Sequence, residues 1–134
     1  MNDKLDKIIN DNWKKYQLRE FFDGAESGDS QVVEIGVKFL EDDPMFFRSG
    51  YHKATVIQKL KKFELSKDIR KRLQKVILNR VDNRDQREFR KYCQLAVLVS
   101  DDDFVSTLKI KLKDENSNIQ RRAKWVVDAL EKKS

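Results

Sequence analysis

Apolar residues recur at helical spacing along almost the whole chain. Leu5, Ile8, Ile9, Trp13 and Tyr16 form one stripe, and Leu18, Phe21, Phe22 and Ala25 form a second, out of phase with the first. Spacing of i, i+3, i+4 predicts amphipathic helices, and the phase break near Tyr16 and Gln17 predicts a kink or two short helices. The stretch from Gly24 through Gly28 reads as a stop followed by a new start, with Asp29 or Ser30 as N-cap. Val32, Val33, Ile35, Val37, Phe39 and Leu40 then mark a helix that Glu41-Asp42-Asp43-Pro44 closes. Asp43 as N-cap, with Pro44 in the first helical position, predicts the start of the next helix, which carries Phe46, Phe47, Gly50, Ala54, Ile57 and Leu60.

Ser66 is placed to cap a helix bearing Ile69, Leu73, Val76, Ile77 and Val81, and a further helix carries Phe89, Tyr92, Cys93, Ala96 and Val99. Ser100 followed by Asp103 has the spacing of a capping box ahead of Phe104, Leu108 and Leu112. A last helix is expected from about Asn116, with Ile119, Ala123, Val126 and Leu130. The strand alternative for residues 32–40 and 96–99 loses to the helical spacing on either side. One Pro and four Gly also leave little turn chemistry for many short strands. The expectation is an all-α chain of seven or eight helices.

Three helix pairs superpose on a small residue in the second helix of each, at Ala54, Cys93 and Ala123. Ile57, Ala96 and Val126 stand three residues later, and the anchors lie 39 and 30 residues apart. These periods suit two-helix repeats. A short side chain lets a hairpin close tightly, and stacked hairpins bury the faces that one pair leaves open.

Residues Asp114 to Ala123, with Ile119, Arg121 and Arg122, followed by Lys124 to Leu130, resemble the second helix of a HEAT repeat. The stretch from Asp85 to Cys93, with Arg90, is a looser version, and Phe47-Arg48-Ser49-Gly50 is a weaker one. The resemblance covers residues 29–132. It implies an all-α, right-handed stack of about three HEAT-like hairpins, at 29–63, 64–99 and 100–134, after one or two N-terminal helices in 1–28. It further implies a single solenoid domain, 1–134, with the second helices lining a concave surface.

Length and charge narrow the function classes. At 134 residues the chain buries a core without staples, and its one cysteine, Cys93, allows no intrachain disulfide. No secretory signal and no membrane-spanning run is visible, so the expected location is cytoplasmic. The formal charge of +6 divides unevenly: −5 over residues 1–44 (6 Lys/Arg, 11 Asp/Glu), +10 over 45–99 (15 against 5) and +1 over 100–134 (8 against 7). Such asymmetry bears on partners.

No Gly-rich phosphate loop, paired-cysteine spacing or nucleophile elbow occurs, and His52 is the sole histidine. No enzymatic activity, cofactor or metal is therefore expected. Cys93, between apolar neighbours, reads as a buried structural thiol. Asp101-Asp102-Asp103 lacks the spacing of a calcium loop and reads as helix capping.

The informative feature is a basic ladder. Registering the anchored helices sets Arg48, His52 and Lys53 beside Arg87, Arg90 and Lys91, and beside Arg121, Arg122 and Lys124. Set against a solvated face whose stems cover apolar neighbours, the functional reading is a binding surface. Tyr51, Tyr92 and Trp125 lie on or beside it as candidate anchors, with core packing favoured for Trp125. The expected function is a protein-binding module. Short bacterial proteins of this size and style resemble immunity proteins, so a toxin domain is one candidate partner. The alternative is binding of a nucleic-acid backbone.

Overall fold

A computed structural model describes residues 3–83 and 88–133. The described residues form helices and connections, with no strand among them. In order these are α1 (Asp3–Lys15), α2 (Leu18–Ser27), a 3-10 turn (Ser30–Val32), α3 (Val33–Asp42), α4 (Ser49–Leu60), α5 (Lys67–Asn83), α6 (Phe89–Val99), α7 (Asp102–Lys111) and α8 (Ser117–Lys133). The all-α reading holds. The chain divides into two compact units, Met1–Glu64 and Leu65–Ser134.

In the first unit, α2, α3 and α4 pack on one another around Leu18, Phe21, Val37, Phe39, Leu40, Val56, Ile57 and Leu60, all fully buried. The α2–α3 contact is close because Gly36 offers no side chain. A Cβ there would stand 2.5 Å from the Phe21 ring. Helix α1 buries no residue completely and attaches through rings: Trp13 lies 5.4 Å from Phe22, and Tyr16 5.4 Å from Phe39. The break expected at Tyr16 and Gln17 is real, with Gln17 in the left-handed region at φ 54°. Gly28 ends α2 in the same region at φ 80°, where glycine has no Cβ penalty. Asp29 caps the 3-10 turn by accepting the Gln31 N–H.

Of the stop and the start expected at residues 41–44, the stop holds and the start does not. Asp43 closes α3 in the left-handed conformation, φ 49°, its N–H donating to the Phe39 carbonyl. Pro44, which has no N–H, follows as a terminator. Residues 43–48 form a loop that holds Phe46 and Phe47, and α4 begins only after Arg48, itself left-handed at φ 68°.

In the second unit, α6 packs against α5 and α8, while α8 also packs against α5 and α7. The core contains Leu73, Ile77 and Val81 of α5, Tyr92, Leu95 and Ala96 of α6, Leu108 of α7, and Ala123 and Val126 of α8. Ser66 caps α5 as expected, accepting the Ile69 N–H at 3.2 Å. The α7 cap lies one residue beyond the predicted Ser100: Asp101 accepts the Phe104 N–H at 2.9 Å. The same carboxylate also pairs with Lys71 of α5 at 2.7 Å. Lys111, at the end of α7, pairs with Asp82 at the end of α5 at 2.6 Å. Start pairs with start and end with end, so α5 and α7 run parallel. Asn116 leads into α8, accepting the Asn118 N–H at 2.8 Å.

Candidate functional site

The nine ladder residues fall on both units, and each unit is described by itself. In the first, Arg48, His52 and Lys53 diverge. Arg48 is exposed, its guanidinium 5.9 Å from the Phe47 ring. His52 is half-buried among rings: Trp13 at 5.3 Å and Tyr51 at 5.7 Å meet it edge-on, and Phe46 stacks on it at 5.9 Å. The Trp13 Nε1–H donates to His52 Nε2 at 3.5 Å, a bond that needs the neutral imidazole. Burial, and then the Arg48 charge, hold its pKa below the ordinary 6.5. Lys53 presents no charge to solvent. At 1% exposure its Nζ meets Asp43 Oδ1 at 2.6 Å and Met45 Sδ at 3.4 Å, so the ammonium anchors the 43–48 loop from beneath.

In the second unit the arginine pair on α8 splits. Arg122 is 5% exposed and donates from Nε to the Val81 carbonyl at 2.7 Å, in the last turn of α5. That carbonyl belongs to the set a helix leaves without an internal partner. Arg121 points outward, its guanidinium 5.3 Å from the centre of the Trp125 ring. Trp125 is 43% exposed and not a core residue; it meets Phe89 of α6 in a T-shaped arrangement with ring centroids 5.7 Å apart. Arg90 and Lys91 follow Phe89 on α6, the first exposed and the second half-buried. Lys124 is exposed and pairs along α8 with Asp128 at 3.0 Å. Arg87 lies outside the described residues. Of the described ladder residues in this unit, Arg90, Arg121 and Lys124 are exposed, and of these Arg121 stands over the Trp125 ring.

Of the other aromatic candidates, Tyr51 is 66% exposed, whereas Tyr92 is fully buried with Arg80 over its ring and cannot anchor a partner. Cys93 is buried, and loss of hydration pushes its thiol up to about 11, far from a thiolate nucleophile. Asp101 is committed to Lys71 and to the α7 cap; its carboxyl lies well below the ordinary carboxylate range, chiefly because of the Lys71 bond. Among the described residues no group of three His, Cys, Asp or Glu is placed to hold a metal ion, and no helix is long and apolar enough to cross a membrane.

Two ladder cations are structural: Lys53 pairs with Asp43, ten residues away, and Arg122 donates to a helix-end carbonyl. Helical phase shows which residues share a stripe but not which long stem turns inward. No protein-family model, curated protein or solved structure matches this chain.

Proposed function

We propose that this protein is a non-enzymatic binding module of HEAT-like repeats, whose second unit docks an acidic segment of a partner protein on the face built from Arg90, Arg121, Lys124 and Trp125. One observation carries the reading. Trp125 is a large ring, 43% exposed, in T-shaped contact with Phe89 and with the Arg121 guanidinium over it. Tryptophan and arginine are the residue types that dominate interface energetics, and pre-fixing them lowers the ordering cost of docking. The charge of residues 65–134, 18 Lys/Arg against 11 Asp/Glu, suits an acidic partner. The parallel α5 and α7, each followed by a helix of the α6–α8 pair, support the repeat reading for this unit.

Occlusion of an acidic toxin domain, as immunity proteins do, is the biological setting this reading favours. The net +7 of residues 65–134 favours, as a second reading, single-stranded nucleic acid, with a base stacked on Trp125 and phosphates on the arginines. The test is fluorescence titration in a Trp13→Phe background, so that Trp125 alone reports. A glutamate-rich peptide is expected to change the emission saturably, and Arg121→Glu to weaken binding at least tenfold. An oligonucleotide that binds tightly, with affinity falling steeply in salt while the peptide leaves the emission unchanged, establishes the second reading instead.

A further inference from the structure

Lys67, Arg70, Lys71 and Gln74 of α5 stand at i, i+3, i+4 and i+7, a single stripe of the helix, and all four line an open cleft of about 420 Å³. Val99, Ser100 and Asp101, at the junction of α6 and α7, complete the lining together with Leu65. Gln74, 5% exposed, donates from Nε2 to the Val99 carbonyl at 2.7 Å and ties α5 to the end of α6. Of the three cations, Lys71 is committed to Asp101, with Asp103 also within electrostatic reach. Lys67 and Arg70 have no carboxylate partner among the described residues. Asp68, the acid of the same first turn, lies outside the lining.

This stripe works against the helix that carries it. Like charges at i, i+4 repel, and cations in the opening turns oppose the positive end of the helix dipole. The stability of α5 therefore does not account for it. Arg70 is nonetheless held in place. Its Nε–H donates to the Leu65 carbonyl at 3.2 Å, which orients the guanidinium plane and leaves two Nη groups to donate elsewhere.

We propose that this cleft binds a phosphomonoester, free or on a phosphorylated side chain, with Arg70 and Lys67 on the phosphate and Leu65 and Val99 against the body of the ester. Charge selects this class. A phosphomonoester is close to a dianion at neutral pH and matches the two cations that lack a carboxylate, whereas a carboxylate ligand neutralises only one. Its oxygens accept the paired donors that an arginine presents, and the Ser100 hydroxyl of the same lining is a further donor. The volume lies within the range of small-ligand sites and leaves room for more than a bare phosphate.

NMR titration of the full, ¹⁵N-labelled chain with phenyl phosphate, above about pH 7, tests this. Saturable shifts are expected at the amides of Lys67, Arg70, Lys71, Gln74 and Ser100, with a dissociation constant of about 0.1–1 mM. Arg70→Gln should weaken binding at least tenfold, whereas Lys109→Gln, which removes the same charge away from the cleft, should leave it unchanged. Lys67→Glu separates a binding role from a structural one. It should abolish binding and yet raise the urea midpoint of the second unit, because it sets an acid at the helix start, four residues before Lys71. A phosphoserine peptide bound at least tenfold more tightly than phenyl phosphate assigns the group to a protein side chain, and equal affinity assigns it to a small molecule. The proposal is overturned by the absence of saturable shifts up to about 10 mM phenyl phosphate. It is overturned equally if Lys109→Gln weakens binding as much as Arg70→Gln, or if Lys67→Glu lowers the urea midpoint.

Discussion

The sharpest consequence of the structure concerns Lys53. Its ammonium is 1% exposed and its carboxylate partner Asp43 17% exposed, at 2.6 Å. Replacing Lys53 by Met keeps the length and the apolar stem but takes the buried ammonium away from the Asp43 carboxylate. Removing one member of a buried ion pair costs about 3–5 kcal/mol. Because Asp43 keeps some access to water, the expected loss is nearer to about 2–4 kcal/mol. The assay follows from the distribution of tryptophans: Trp13 lies in the first unit and Trp125 in the second, and there are two in all. In a Trp125→Phe background, urea unfolding followed by Trp13 emission reports on the first unit. With a slope of about 1 kcal/mol/M for a segment of this size, the midpoint should fall by about 2 M or more. Asp43→Asn combined with Lys53→Met removes both charges and keeps a residue that tolerates the left-handed backbone. It should recover most of the lost stability. A single Lys53→Met variant within about 0.5 kcal/mol of the parent would refute the reasoning. A double variant no more stable than the single one would refute it equally.

Arg122→Met should destabilise the second unit by about 1–3 kcal/mol, read from Trp125 emission, because the Val81 carbonyl loses its donor. Cys93 should react with a thiol reagent at pH 8 only after unfolding. Its folded pKa of about 11 lies above the ordinary 9.0, so the unfolded thiol ionises first and its contribution to stability is lost as pH rises from about 9 to 11. His52 has the opposite window. With a folded pKa below 6.5, the unfolded state takes the proton first, so stability of the first unit should fall as pH drops below 6.5 until the folded imidazole also protonates. His52→Phe should flatten that profile in acid-unfolding experiments. Gly36→Ala should destabilise the first unit, because its Cβ meets the Phe21 ring at 2.5 Å.

The sequence made the helical class, the break at Gln17, the cap at Ser66 and the start of the last helix near Asn116 legible. It placed a stop and a start together at Asp43-Pro44, and only the stop is there, since the next helix begins at Ser49. The α7 cap lies at Asp101 and not at Ser100, and the same carboxylate pairs with Lys71, thirty residues upstream. The candidate site was legible as a set of positive residues on second helices, but not as a surface. Lys53 and Arg122 turn inward to partners that share no local pattern with them, and Trp125 stays 43% exposed.

The left-handed joints at Gln17, Asp43 and Arg48 bear on which substitutions the chain tolerates. Gln17 and Arg48 are solvent-exposed, a location at which most residues are interchangeable. Their backbone conformation imposes a different filter, admitting Gly, Asn and Asp at little cost and penalising Val, Ile and Thr by about 1–2 kcal/mol. A saturation library selected for folding should therefore show two surface positions behaving like interior ones, with the depleted residues defined by β-branching and not by polarity.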